Sequence, residues 1–248
     1  MRVLILGGTT EASALVAALA RRNGVVPVLS LAGRTERPVL PDVAFRIGGF
    51  GGADGLAAYL QNEAIDAIVD ATHPFAARMC WNAAQACART GVPILRFGRP
   101  AWAAVPGDRW IDVPTVEAAA AVLGESPRRV FLTVGRLSLP AFGAAPQHHY
   151  VVRSIDAPED LSMLPHRRLL LARGPFDAEA EEALMRAEAV EILVTKNSGG
   201  PATAGKIAAA RRLSLPVVMV ARPPRPSMPA AGSVEDVVAW LEAHRSRP

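Results

Sequence analysis

The string TKNSGGPATAGK, residues 195–206, gathers a cation, an amide, a hydroxyl and flexible glycines directly after an apolar run. Lys196, Asn197, Ser198, Gly199 and Gly200 form the kind of turn that can cradle an anion with backbone N–H groups. The same stretch contains GPATAGK, which has the G-x-x-x-x-G-K spacing of a nucleotide phosphate loop. A phosphate loop needs a Ser or Thr next, to hold Mg²⁺, and Ile207 stands there instead. Five residues also separate Thr195 from Pro201, whereas a phosphate loop turns right after its strand. Asp70, the candidate metal partner, is followed by a Pro-containing turn. The informative residues are therefore Lys196 to Gly200, with Pro201 opening a helix and Thr203 in its first turn. On this reading the Gly205-Lys206 pair is an accident of a Gly- and Ala-rich helix start.

A second chemical stretch is LILGGTTEASAL. Gly7 and Gly8 permit a tight strand-to-helix turn, and the next N–H groups face any anion at the helix N-terminus. Thr9 and Thr10 offer hydroxyls to phosphate or caps to the helix, and Glu11 follows. Against G-x-G-x-x-G, only Gly7 matches; Thr9 and Ala12 replace the other glycines. At the end of the next strand an NAD site usually carries an acid for the ribose 2′-hydroxyl. Here Ser30 and Arg34 precede the first acid, Glu36, a pattern suited to a 2′-phosphate and hence to NADPH. Glycines 48, 49, 51 and 52 then suggest close backbone approach to a ligand. A third stretch, DATHPFA (70–76), places Thr72, His73 and Pro74 at a strand end. His73 is a candidate for proton transfer or cofactor contact, or a cap; Pro74 fits the first turn of the following helix.

The elements that must position these groups alternate. Short apolar runs are read as strands at 3–6, 25–31, 43–47, 66–70 and 92–96, with helices over 11–22, 53–62 and 75–89. After a Pro- and Gly-rich connection at 97–114, strands are expected at 129–134, 149–155, 168–172, 191–195 and 216–220. Helices are expected over 115–123, 177–188 and 202–213. A Pro-rich loop at 222–232 leads to a last helix from Val234 to about His244, capped by Ser233. Such βαβ alternation predicts an α/β fold with parallel sheets.

Composition narrows the function. Of 248 residues, half are hydrophobic and 20% charged, enough for a large core. The net charge of +4 comes from scattered Arg without a dense basic run, and only 5% of residues are aromatic. That favours an anionic small molecule over nucleic acid. Cys80 and Cys87 lie seven apart on one predicted helix, about 10 Å along its axis, too far for a disulfide. No zinc-ligand spacing occurs and no metal is expected. No apolar run is long enough to span a membrane; cytoplasmic residence and a monomer are the expectations.

Taken together, GGTTEA (7–12), DATHPFA (70–76), FLTVGRLSL (131–139), RGPF (173–176), TKNSGG (195–200) and PVVMVARP (216–223) resemble the precorrin-6A reductases of corrin-ring biosynthesis. The resemblance runs from the first strand to the last. It implies two Rossmann-like domains, 1–98 binding NADPH and 99–248 binding substrate, with cofactor and macrocycle in the cleft between them. It implies an NADP-dependent oxidoreductase acting on a CH–CH group, converting precorrin-6A to precorrin-6B. Neighbouring corrin-pathway enzymes would be the protein partners. The cofactor set is then Gly7, Gly8, Thr9, Thr10, Glu11, Ser30, Arg34, Gly51, Thr72, His73 and Pro74. The substrate set is Gly135, Arg136, Arg173, Lys196, Asn197, Ser198, Gly199, Gly200 and Thr203. Lys196, Ser198 and His73 are the catalytic candidates; water or a substrate carboxyl are other proton sources. Arg99, Arg136, Arg153, Arg173 and Arg222 are candidate clamps for substrate carboxylates. Two other readings are a non-catalytic NADPH-binding regulator and a nucleotide phosphohydrolase using GPATAGK.

Overall fold

The computed structural model describes residues 1–33 and 42–245. It divides into two units, Met1–Arg99 with Pro224–Pro248, and Pro100–Pro223.

In the first unit, β1 (Arg2–Leu6), β2 (Val26–Leu31), β3 (Ala44–Ile47), β4 (Ala67–Asp70) and β5 (Ile94–Phe97) are parallel, in the order β5-β4-β1-β2-β3. Val3–Leu6 are apolar without alternation because both sheet faces are covered. Val3 and Ile5 pack with Leu15, Val16 and Leu19 of helix α1 (Thr10–Leu19). Leu4 and Leu6 point to the opposite face, among Leu56 and Leu60 of α2 (Gly52–Asn62) and Ala83 and Cys87 of α3 (Ala77–Thr90). Cys80 and Cys87 are both free and buried. α3 starts later than expected. Ala76 N donates to His73 O across a turn holding Pro74, so Pro74 precedes the helix by three residues.

In the second unit the order is β6-β11-β10-β7-β8-β9, again parallel. These strands are β6 (Arg109–Val113), β7 (Arg129–Thr133), β8 (His149–Ser154), β9 (Arg167–Leu171), β10 (Ile192–Lys196) and β11 (Pro216–Val220). Helix α4 (Val116–Ala121) follows β6. Helices α5 (Ala178–Ala187) and α6 (Gly205–Arg212) cover one face, with Met185, Ile207, Ala209 and Ala210 against Phe131, Leu193, Val217 and Met219. A 3₁₀ helix, Arg136–Ala144, follows β7.

Two further expectations change. Strand β6 lies inside the stretch read as a connection, as the edge neighbour of β11. The segment expected to close the second domain also returns to the first. Ala230–Ala231 forms a short strand, β12, beside β5. Helix α7 (Val234–Arg245) places Val237, Val238 and Leu241 in the core that holds Leu15, Val16 and Leu19. The second unit runs from Pro100 to Pro223, and the residues after it belong to the first. As read, Ser233 caps α7, its Oγ accepting from Asp236 N at 3.1 Å. Among the described residues no helix is long and apolar enough to cross a membrane.

Candidate functional site

Each sheet reverses its winding direction once. In the first the switch lies between β1 and β4, in the second between β7 and β10. In such sheets, ligands bind outside the carboxyl ends of the strands at the switch, where two loops diverge. The described sequence candidates fall on these four loops or at the carboxyl ends of β2, β3 and β9.

In the first unit, Gly7 N donates to Ser30 O, and a Cβ on Gly7 would come within 2.6 Å of Leu29 Cδ1. Gly8 has φ +108° and faces open space where a Cβ would project. Thr9 caps α1, its Oγ1 accepting from Ala12 N at 3.1 Å and donating to Ala71 O at 2.8 Å. Its hydroxyl therefore joins the loop after β1 to the end of β4, across the switch. Thr10 Oγ1 donates to Glu11 Oε2 at 3.2 Å, and Glu11 pairs with Arg99. Burial raises the Glu11 pKa, but the Arg99 hydrogen bond, a backbone N–H, the Arg99 charge and the Thr10 hydroxyl together outweigh it, and the carboxyl ends below the ordinary glutamate value. The pair neutralises a carboxylate that would repel an anion at the same helix N-terminus.

The loop after β4 is built on Asp70, which is fully buried. Its Oδ1 accepts from Thr72 N (3.1 Å) and Thr72 Oγ1 (2.6 Å). Arg225 donates from Nη2 to Thr72 Oγ1 (3.3 Å) and His73 O (3.0 Å). His73 Nδ1 accepts from Phe75 N at 3.2 Å, so a neutral ring carries its proton on Nε2. His73 thus caps its own turn. Beneath, burial and then the Asp70 charge push the Cys80 thiol to about 11. Arg225 escaped notice in the sequence because it lies in the Pro-rich segment, 153 residues from Thr72.

At the end of β2, Ser30 is held by Arg46, whose Nη1 lies 3.0 Å from Ser30 Oγ. Arg34 lies outside the described residues. Gly51 N-caps α2 with φ +79° and, like Gly8, faces open space.

In the second unit Lys196, the last residue of β10, donates from Nζ to Ser138 Oγ at 2.7 Å. Ser138 lies in the loop after β7, so this bond spans the second switch. Gly135 and Arg136 begin the 3₁₀ helix containing Ser138. Asn197 is used by the fold: Oδ1 accepts from Trp102 N (2.8 Å) and Nδ2 donates to Trp102 O (3.0 Å). Ser198 is buried, and its carbonyl accepts from Arg222 Nη2 at 3.1 Å. Gly199 has φ +68°, and a Cβ there would stand 2.0 Å from Pro100 O. Gly200 O accepts from Trp102 Nε1 at 3.1 Å, and Pro201–Thr203 form a short 3₁₀ turn before α6. Arg173 follows β9 by two residues, at the same carboxyl edge.

Three of the Arg clamps have other work, Arg99 in its pair with Glu11. Arg153 makes a buried bidentate pair with Glu181 and lies 3.8 Å from the Phe176 ring centroid, so its fork is committed to the core. Arg222 braces the 197–198 carbonyls and Pro100 O. The phosphate-loop reading fails on geometry. Lys206 is 4% exposed over the Trp102 ring, and Ile207 packs in the core. Gly205-Lys206 is not an accident of composition either. A Cβ on Gly205 would meet Phe176 O at 2.4 Å, so the glycine lets α6 approach the loop before α5. No cluster of three or more His, Cys, Asp or Glu able to hold a metal occurs among the described residues.

The family model described as "Precorrin-6x reductase CbiJ/CobK" matches residues 2–242. A precorrin-6A reductase from Rhodobacter capsulatus is 47% identical over 247 residues, covering 100% of this chain and 98% of that protein. One from Rhodococcus erythropolis is 51% identical, covering 97% of each. A cobalt-precorrin-6A reductase from Priestia megaterium is 29% identical, covering 89% and 90%. The solved structure of a CobK precorrin-6A reductase superposes with a TM-score of 0.94 at 47% identity, covering 100% of this chain and 98% of that one.

Proposed function

The chain belongs to the precorrin-6x reductase family, and from that premise we propose that it uses NADPH, held by the first unit, to reduce a macrocycle held by the second. It is an oxidoreductase of cobalamin biosynthesis acting on a CH–CH group, reducing one double bond of precorrin-6A to give precorrin-6B. When bound, the nicotinamide supplies the hydride.

The first unit's residues fit such a cofactor. The amide groups of the Gly8–Glu11 turn open a ten-residue helix, and Gly8 and Gly51 leave room for close approach. Thr9 and Thr72 fix the two loop backbones on either side of the switch, and Arg225 locks the His73 turn. Their task is to fix the shape of the site, so that binding is not spent on ordering loops. Ser30 stands at the ribose end, as a donor where an NAD site would carry an acid.

In the second unit, Lys196 and Ser138 form a cation–hydroxyl pair beside the Ser198 turn. Lys196 is proposed to hold a substrate carboxylate and, with Ser138 and Ser198, to order the proton that follows the hydride. Arg136 and Arg173 stand at the same edge. Leu137, Ile155 and Leu171 are exposed there too, after β7, after β8 and at the end of β9. Those three strand ends span two interstrand spacings, about 10 Å, the scale of a tetrapyrrole. Exposed apolar groups flanked by Arg suit a flat ring with a rim of carboxylates.

The observation that carries this reading is the Lys196–Ser138 bond across the second switch, paired with Thr9–Ala71 across the first. The test is steady-state consumption of NADPH by the purified chain. Consumption should require precorrin-6A and should fall in Lys196→Met with cofactor affinity unchanged. Binding of NADPH without any turnover of precorrin-6A would overturn it.

A further inference from the structure

Arg46 sits on β3 directly across from Ser30 on β2. Its Nη1 donates to Ser30 Oγ and to Gly48 O, both at 3.0 Å, and its Nη2 donates to Gly49 O at 2.8 Å. The guanidinium lies 3.8 Å from the Phe50 ring centroid and 5.3 Å from that of Tyr59. Those two rings pack edge-to-face at 5.1 Å. One side chain therefore ties the end of β2 to the glycine loop after β3, in an orientation fixed by two aromatic rings.

The direction of the Ser30 hydrogen bond matters. A guanidinium only donates, so Ser30 Oγ must spend a lone pair on it and keeps its own O–H as a donor. A 2′-phosphate offers only acceptors at this position, whereas an NAD site supplies an acid there to receive the 2′-hydroxyl proton. No acid stands among residues 30–33, which read Ser, Leu, Ala and Gly. The Arg46 charge also favours a phosphate over a neutral hydroxyl.

We propose that Arg46 is a specificity-determining positioning residue: it orients the Ser30 hydroxyl, and the Gly48–Gly49 backbone beside it, to recognise the 2′-phosphate of a phosphorylated nicotinamide cofactor. The inference rests on the NADPH reading and sharpens it, because Arg46 acts through Ser30 and the loop rather than as the phosphate ligand itself.

The probes are adenosine 2′,5′-bisphosphate and adenosine 5′-monophosphate, titrated calorimetrically into the full chain. The wild type should prefer the bisphosphate. Ser30→Ala and Arg46→Gln should each narrow that preference by about tenfold, the weight of one charge-assisted hydrogen bond, the bisphosphate losing more affinity than the monophosphate. Arg46→Lys, which keeps charge without the fork, should fall between. If the variants keep the wild-type ratio, or lose both probes equally, Arg46 is not a discriminator and the proposal is overturned. If Arg46→Gln fails to fold, Ser30→Ala decides by the same ratio. A wild type without preference for the bisphosphate would sink the NADPH reading itself, a different result from unchanged variants.

Discussion

Replacing Thr9 by Val keeps the shape of the side chain and removes its hydroxyl. Two bonds go with it, the α1 cap to Ala12 N and the bond to Ala71 O. Loss of an N-cap costs about 1 kcal/mol. Ala71 is 1% exposed, so its carbonyl loses a donor that water replaces poorly, at about 1–3 kcal/mol. The sum is about 2–4 kcal/mol. With a urea dependence of about 2 kcal/mol per molar, the unfolding midpoint of the first unit should drop by about 1–2 M. Thr9→Ser keeps both bonds and should stay within about 0.5 kcal/mol of wild type. Because the lost bond spans the switch, cofactor affinity should fall in Thr9→Val and hold in Thr9→Ser. The assay is urea unfolding of both variants, followed by fluorescence titration with NADPH. Equal midpoints for Val and Ser would refute the view that this hydroxyl holds the two loops together.

Three further outcomes follow from the geometry. Gly199→Ala forces a Cβ to 2.0 Å from Pro100 O at φ +68°. It should cost about 2–5 kcal/mol and raise KM for the macrocycle, while calorimetric affinity for adenosine 2′,5′-bisphosphate stays unchanged. The Glu11 carboxyl is held below its ordinary value of 4.5, the hydrogen bonds to it and the Arg99 charge together outweighing burial. Its contribution to stability is complete above that value and is lost as pH falls through the lower folded one. Glu11→Gln should therefore flatten the acid limb of a stability–pH curve below about pH 4.5 and change nothing in its shape above. Burial, with the Asp70 charge second at Cys80, lifts the thiols to about 11 and about 12 at Cys80 and Cys87. Both should resist a thiol reagent at pH 8 until denaturant is added, and rapid labelling of the folded chain would contradict their placement.

The central strands were legible because burial on both faces leaves an unbroken apolar signature, as in Val3–Leu6. β6 was not: Arg109, Ile111 and Asp112 are exposed on an edge strand set among Pro, Gly and Trp. Nor could local pattern show that α7 returns to pack on α1, more than two hundred residues earlier, since pairing partners leave no mark in either segment. At the site, the loops were visible from residue types at strand ends, but not the division of labour within them. Thr9 and Asn197 read as ligand groups until their partners, 62 and 95 residues away, show that they hold backbone. Ser138 and Arg46 were overlooked for the same reason. A serine in a 3₁₀ helix and an arginine on an edge strand acquire meaning only beside Lys196 and Ser30.

The most direct test of the account is a single turnover of precorrin-6A with NADPH deuterated at the transferable position, analysed by mass spectrometry of the macrocycle. One deuterium should pass to the product in ordinary water, and a second hydrogen should come from solvent when the experiment is repeated in D₂O. A reduced macrocycle without deuterium from the cofactor, or a macrocycle left unreduced while NADPH stays bound, would contradict it.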